Sequence, residues 1–252
     1  MQEPLSQAST STELPQSQFP PTHWTVVLTA GHAGTTKADE ALQQLCVIYR
    51  RPIYSFLVRT GHKAEQAEDL TSGFIEHLLE KNRLEGFERT DTKFRSFLLR
   101  CLQRFAHDQW RKEIAIKRGG GQENEEYDDG KIGQSPEIEQ ASDVDFAKEV
   151  HREAMRRLGS EKYPEGAKKE RFAALRKFIW SNDKACGVSY DEVGKPLQMA
   201  ANHVSKSVFD LRQNYYESFR RTVSETVARG QIDEETRYLM GLLAGSGLAA
   251  EL

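Results

Sequence analysis

Basic and aromatic residues are interspersed along one stretch of the chain, from Lys93 to Lys112. Arginine and lysine side chains bind phosphates, and exposed aromatic rings stack on unpaired bases, so this composition is typical of contact with single-stranded nucleic acid. The alternative is a solvated basic face over an aromatic core, and we expect Phe94, Phe97 and Phe105 to belong to that core. The candidate nucleic-acid contacts in this stretch are Arg95, Arg100, Arg104, Trp110, Arg111 and Lys112.

A second candidate site has the spacing of a helix-turn-helix, over residues 189–221. Val193 and Leu197 fall on the inner face of a first helix, and Val204 and Val208 on the inner face of a second. In such a motif the second helix lies in the major groove, and the side chains near its N-terminus meet base edges. The residues predicted to contact DNA are Asn202, His203, Lys206 and Ser207, with Arg212 further along on a phosphate. An ordinary helical hairpin with no DNA role would have the same apolar spacing.

Residues that would indicate catalysis or metal binding are poorly arranged. No HExxH segment occurs, and the seven histidines lack a spacing suited to a metal. The segment Gly31–Lys37 resembles a phosphate-binding loop, but Thr36 stands where the second glycine is required. We therefore expect neither an enzyme nor a bound cofactor.

Cysteine usage and hydropathy indicate a cytoplasmic protein. Cys46, Cys101 and Cys186 are odd in number and form no CxxC pair, which favours a reducing compartment. No apolar run approaches the roughly 20 residues that a membrane-spanning helix needs. The first residues lack the basic and apolar segments of a signal peptide, so we expect no contact with membranes.

The apolar periodicity predicts an all-α protein made of two small helical domains joined by an acidic flexible linker. Residues 1–22 are rich in Ser, Gln, Thr and Pro and are expected to be a disordered tail. The first domain covers residues 23–118, with helices at about 38–60, 64–81 and 92–116. Gly, Pro and acidic residues define the linker, 119–143. The second domain covers residues 144–228, and a C-terminal extension follows at 229–252.

The formal net charge of −3 hides a strong local asymmetry. Residues 93–118 contain eight Lys and Arg against two acidic residues, whereas residues 122–145 contain nine acidic residues against one lysine. A basic DNA-binding face can therefore exist within a nearly neutral chain.

These segments, in this order, resemble the extracytoplasmic-function sigma factors of bacterial RNA polymerase, a branch of the sigma-70 family. The resemblance covers about residues 23–243. It is found in YRRPIYSFLVRTG, AEDLTSGFIEHLLEK and FRSFLLRCLQRFAHDQWRKEIAIKRGGG, and in SYDEVGKPLQMAANHVSKSVFDLRQNYYESFRR near the C-terminus. The chain departs from the family pattern at Ser72, where glutamine is usual, at Gly73, where a bulkier residue is usual, and at Gln198, which replaces the usual turn glycine.

The resemblance implies a division of labour between the two domains. The helix around residue 70 would dock on core RNA polymerase through Asp69, Leu70, Thr71, Phe74 and Ile75. The loop at residues 82–91 and the basic helix after it would hold the opened minus-ten strand of promoter DNA. The helix-turn-helix would bind the minus-thirty-five element as duplex. An anti-sigma factor is a further partner that the family implies.

Two other interpretations of the sequence stay open. A helix-turn-helix transcription regulator that acts without polymerase would explain the second domain, with the first domain as a sensor. A helical scaffold protein with no DNA role would explain the helices alone.

Overall fold

The structure of the protein is a computed structural model, which describes residues 36–79, 94–117, 136–181, 183–227 and 229–247. Within these ranges the chain forms helices and turns and contains no strand, so the all-α prediction is confirmed there. The predicted N-terminal tail and the predicted minus-ten loop lie outside the described residues.

The helices of the described ranges are named here in chain order. They are α1 (Thr36–Arg59), α2 (Ala64–Leu79), α3 (Phe94–Lys117), α4 (Pro136–Lys162), α5 (Gly166–Leu175), α6 (Asp183–Cys186), α7 (Tyr190–Gly194), α8 (Ala201–Ser224) and α9 (Ile232–Gly245). Short 3-10 turns at Arg176–Phe178 and Arg229–Gln231 follow α5 and precede α9.

Helix α2 packs against both α1 and α3. Phe74 of α2 is fully buried and lies 5.5 Å from the ring of Phe105 in α3. Phe94 is buried and Phe97 is half-buried, as the apolar spacing of α3 predicts. The chain turns from α1 to α2 at Gly61, whose φ of 98° favours glycine.

The predicted linker is wrong over its last eight residues, because α4 already begins at Pro136. Proline is favoured at the first helical position, and Glu137 and Glu139 are acidic residues in the first turn, where the helix dipole stabilises them. Acidic residues that suggested a solvated linker therefore start a helix. Residues 119–135 of the predicted linker lie outside the described ranges.

Helix α4 joins the two predicted domains into one continuous core. Near its start, Phe146 stacks on Tyr49 of α1, with ring centroids 5.1 Å apart. Helix α4 also packs against α8 and α9. The buried residues that follow from this packing are Ala147, Val150, Ala154 and Leu158 in α4, and Leu211, Tyr215 and Phe219 in α8. The two groups of helices are thus in direct contact in this structure.

A buried histidine lies where α4 meets α8. The Nδ1 atom of His151 is 2.7 Å from the hydroxyl oxygen of Tyr215, and only 5% of the histidine is exposed. Burial, together with the charge of Arg152, lowers the pKa of His151 to about 4. The folded protein therefore keeps this ring neutral at pH values where the unfolded chain protonates it.

Acidification is expected to destabilise the protein through His151. The unfolded chain takes up a proton on this residue as the pH falls below about 6.5, and the folded state does not until about pH 4. The free energy of unfolding should fall through this window by up to about 3 kcal/mol. Urea unfolding from pH 7 to pH 4, with His151→Gln as the comparison, measures this. Parallel pH profiles for the two proteins would contradict the assignment.

Candidate nucleic-acid interface

The start of α7 is defined by a reciprocal cap. The Ser189 Oγ accepts a hydrogen bond from the Glu192 backbone N–H at 3.2 Å, and the Glu192 carboxylate accepts one from the Ser189 N–H at 2.9 Å. The two bonds together form a capping box, which a serine followed three residues later by a glutamate favours. The cap determines where α7 begins, and so where its inner face points.

The turn between α7 and α8 depends on two residues with unusual backbone requirements. A Cβ atom on Gly194 would lie 2.2 Å from the carbonyl oxygen of Met199, because that carbonyl crosses the end of α7. The Gly194 carbonyl itself accepts hydrogen bonds from the N–H groups of Leu197 and Met199 at 3.1 and 2.9 Å. Gln198 adopts a φ of 53°, the left-handed conformation that glycine prefers. The chain therefore reverses tightly, with Gln198 at the position where a turn glycine is usual.

The inner faces of α7 and α8 match the predicted spacing. Val193, Val204 and Val208 are buried as predicted. Leu197 is half-buried against the core, but it lies in the turn after Gly194 and not on the inner face of α7. Tyr190 at the start of α7 contacts the buried Phe178 ring edge-to-face at 5.2 Å. The opposite face of α8 is left free of the core.

Three predicted DNA contacts lie in exposed positions on α8. Asn202, His203 and Lys206 are exposed in the first two turns. The side-chain oxygen of Asn202 accepts a hydrogen bond from the backbone N–H of His203 at 2.8 Å. The amide nitrogen of Asn202 takes no part in that bond.

Ser207 does not share this outward face. It is half-buried and lines a cavity of about 100 Å³ beside Phe172 and Leu175 of α5. Since successive residues of a helix are about 100° apart, Ser207 lies well to the side of Asn202 and Lys206. The prediction of a base contact by Ser207 is not supported by this geometry.

Arg212 binds the protein backbone. Its Nε and a terminal N–H donate hydrogen bonds to the carbonyl oxygens of Phe178 and Ser181, at 3.0 and 2.9 Å. The predicted phosphate contact is therefore replaced by a structural role, which the sequence could not reveal because the acceptors lie 34 and 31 residues away.

Sequence reasoning missed other residues on the outward face of α8. Ser205, Phe209 and Gln213 are exposed, and Phe209 is 60% exposed. The seven-residue spacing between Asn202 and Phe209, or between Lys206 and Gln213, corresponds to two helical turns and identifies this face. We call these residues, with Asn202 and Lys206, the outer stripe of α8.

Helix α3 presents most of its predicted basic residues to solvent. Arg100, Arg104, Arg111 and Lys112 are exposed. Trp110 is half-buried and lies against the His107 ring, with centroids 6.1 Å apart.

Arg95 is the exception, because it is buried between α3, α4 and α9. Its Nε donates to an Asp143 carboxylate oxygen at 2.5 Å, and its guanidinium also bonds Glu235, which is only 2% exposed. Burial alone would lower the arginine pKa, but the Asp143 hydrogen bond and the charges of both carboxylates raise it. In this arrangement Arg95 is not accessible to DNA, so its predicted DNA contact would require these ion pairs to open. The sequence does carry a sign that Arg95 is buried, because it lies three and seven residues before Leu98 and Leu102, which places it on their buried face of α3.

Tyr238 of α9 completes this cluster. Its hydroxyl donates to Asp143 at 2.6 Å, and its ring lies 5.6 Å from the Arg95 guanidinium. Partial burial and this hydrogen bond raise the pKa of Tyr238 to about 12. Helix α9 is thereby tied to α3 and α4.

Only part of the predicted polymerase-binding set on α2 is accessible. Thr71 and Phe74 are fully buried, and the Thr71 hydroxyl donates to the Ala67 carbonyl at 2.6 Å. Leu70 and Ile75 are half-buried, and Asp69 is exposed. Thr71 and Phe74 are thus core residues in this structure. The exposed face of α2 is acidic, and we define the acidic face of α2 by its carboxylates, Glu65, Glu68, Asp69 and Glu76.

No protein-family model, no curated protein and no solved structure matches this chain.

Neither a metal centre nor a membrane segment is found in the described part of the chain. No three or more His, Cys, Asp or Glu residues come together there in a group that could hold a metal ion. None of the helices described above combines the length and the apolar character needed to cross a bilayer.

Proposed function

We propose that this protein is an alternative sigma factor of the extracytoplasmic-function type, which binds core RNA polymerase and directs promoter-specific initiation of transcription. The observation that supports this best is the tight α7–α8 turn, with Asn202, His203 and Lys206 exposed at the start of the longer helix. In this proposal α7 and α8 form a helix-turn-helix, and α8 enters the major groove of the minus-thirty-five element.

The first three helices supply the polymerase contact and the minus-ten contact in this proposal. The acidic face of α2 suits a basic surface on polymerase, and the exposed Arg100, Arg104 and Arg111 of α3 suit phosphates. The chain itself performs no chemistry, because polymerase catalyses the phosphoryl transfer.

The proposal requires the two groups of helices to separate on a promoter. Elements about two DNA turns apart are separated by about 70 Å along the axis. Helix α4 has 27 residues and is about 40 Å long, and both groups pack against it. The contact between Tyr49 and Phe146 and the ion pairs of Arg95 therefore belong to a closed state, which polymerase would have to open.

The Asp69→Lys variant tests the polymerase contact. Reversing an exposed charge in a complementary interface should weaken binding to core polymerase by at least about tenfold, while the fold is retained. Affinity is measured by titrating labelled full-length chain with core polymerase. Glu170→Lys makes the same charge change on the exposed surface of α5 and should bind like wild type. Equal affinities for all three proteins would exclude the proposed docking face.

The Lys206→Ala variant tests the DNA contact. A base-edge contact is worth about 1–3 kcal/mol, so transcription from promoters with an intact upstream element should fall about 5- to 150-fold. Binding to core polymerase should not change. Lys168→Ala, on the exposed surface of α5, controls for loss of charge. The readout is in vitro transcription over single-base variants of the upstream element, and the assignment fails if Lys206→Ala and Lys168→Ala give the same profile.

A transcription regulator that acts without polymerase is the second candidate. The direct packing of α1 on α4 favours it, since a one-piece regulator has no need to open. It predicts nanomolar binding of the free chain to specific duplex DNA at physiological salt, whereas the sigma proposal predicts weak binding. Electrophoretic mobility shifts with and without core polymerase separate the two.

A further inference from the structure

We infer that Phe209 contacts thymine methyl groups in the duplex that α8 binds, and so determines part of its sequence preference. This inference rests on the DNA-binding part of the proposed function. It assigns a role in sequence specificity to an apolar residue that is not buried in the core.

Phe209 is unusual among the phenylalanines from α4 onward. Phe146, Phe178 and Phe219 are each at most 2% exposed, whereas Phe209 is 60% exposed. It belongs to α8 but points away from the core, because it lies nearly opposite the buried Leu211 on the helix. A partner that covers this ring would remove a large apolar surface from water.

The position of Phe209 places it within reach of the same base pairs as the predicted contacts. It lies about 4.5 Å along the helix axis from Lys206 and about 10 Å from Asn202, and the three share one face. Base pairs are about 3.4 Å apart, so these residues together cover three or four of them.

The surroundings of Phe209 favour a base edge over an apolar protein surface. Its nearest neighbours on the outer stripe, Ser205, Lys206 and Gln213, are all hydrogen-bonding residues, and Lys206 is positively charged. Asp210, the next residue, is exposed as well, and the next exposed aromatic ring, Tyr216, lies two turns away, about 10 Å along the axis. A thymine methyl is an isolated apolar group among hydrogen-bonding atoms in a negatively charged groove, and phenylalanine is one of the side chains that contacts it. A subunit interface would instead present a more continuous apolar centre.

The test replaces single thymines by uracils, which removes the methyl group and keeps every hydrogen bond. A duplex is first selected from a randomised pool with the full-length chain at low salt, and again with core polymerase. At the contacted position, uracil should weaken binding of the wild-type chain about three- to fivefold. Phe209→Ala should bind the thymine duplex more weakly and show no difference between thymine and uracil. Tyr216→Ala removes an exposed aromatic ring two turns further along and should keep that difference.

The possible results separate the inference from the proposed function. If the selected duplex shows the same thymine preference with Phe209→Ala as with wild type, the inference is wrong and the DNA-binding role stands. If no sequence-selective duplex is recovered under either condition, the proposed function itself fails. If Phe209→Ala instead abolishes a concentration-dependent dimer in sedimentation and leaves the thymine preference intact, this face is a subunit interface.

Discussion

Replacing Arg95 by methionine is expected to lower the free energy of unfolding by about 3–5 kcal/mol, because it removes the positive charge that faces the buried Glu235 carboxylate. Glu235 is 2% exposed, and Asp143 keeps only the Tyr238 hydroxyl in place of the guanidinium. Methionine retains most of the arginine volume, so no large cavity forms. The loss of stability therefore measures the effect of removing the charge. The measurement is equilibrium unfolding in urea.

Two further variants make this result specific to the buried cluster. Arg95→Met combined with Glu235→Leu should recover most of the lost stability, because well-packed apolar residues replace buried ion pairs at little cost. Arg50→Met breaks an ion pair with Glu68, in which both side chains are about half-exposed, and should change stability by less than about 1 kcal/mol. If Arg95→Met is as mild as Arg50→Met, then α3, α4 and α9 are not packed together in solution.

The Gly194→Ala variant is expected to destabilise the protein by about 3 kcal/mol or more, at the upper end of the cost of overpacking. The added methyl would lie 2.2 Å from the Met199 carbonyl oxygen and 3.2 Å from a Val204 methyl. A backbone carbonyl cannot rotate away as a side chain can, so the α7–α8 turn would have to open. The DNA binding that we propose for α8 should be lost together with the turn.

Gly241→Ala is the matched control for this substitution. Gly241 is exposed within α9, and a Cβ there would meet no atom within 4 Å. Alanine should therefore stabilise α9 by up to about 1 kcal/mol through its helix propensity. If both alanine variants are stabilising, the close approach at Gly194 does not occur.

At Gln198, in the same turn as Gly194, a substitution is expected to stabilise the protein. Its φ of 53° is strained for a residue with a side chain, so Gln198→Gly should raise stability by up to about 1 kcal/mol. Thermal unfolding of the single variant and of Gln198→Gly in the Gly194→Ala background would show whether the turn is the common element. A destabilised Gln198→Gly would contradict the left-handed turn.

The local features of this protein could be predicted from the amino-acid sequence, because neighbouring residues determine them. Apolar residues three and four positions apart identified α1, α2, α3 and α8, and a serine three residues before a glutamate identified the capping box at Ser189. The outward positions of Asn202 and Lys206 followed from the same period. The DNA-binding role of that face stays a prediction.

Features that depend on distant partners were decided only by the tertiary structure. Arg95 is 140 residues from Glu235 and 48 from Asp143, and no local pattern reveals that the three meet. The same holds for Arg212, whose acceptors are backbone carbonyls of another segment. The acidic residues before Phe146 predicted a solvated linker, yet α4 begins there because α1 and α9 cover one side of it. Whether a charged residue is solvated or paired is set by what packs against it, and local sequence carries little of that information.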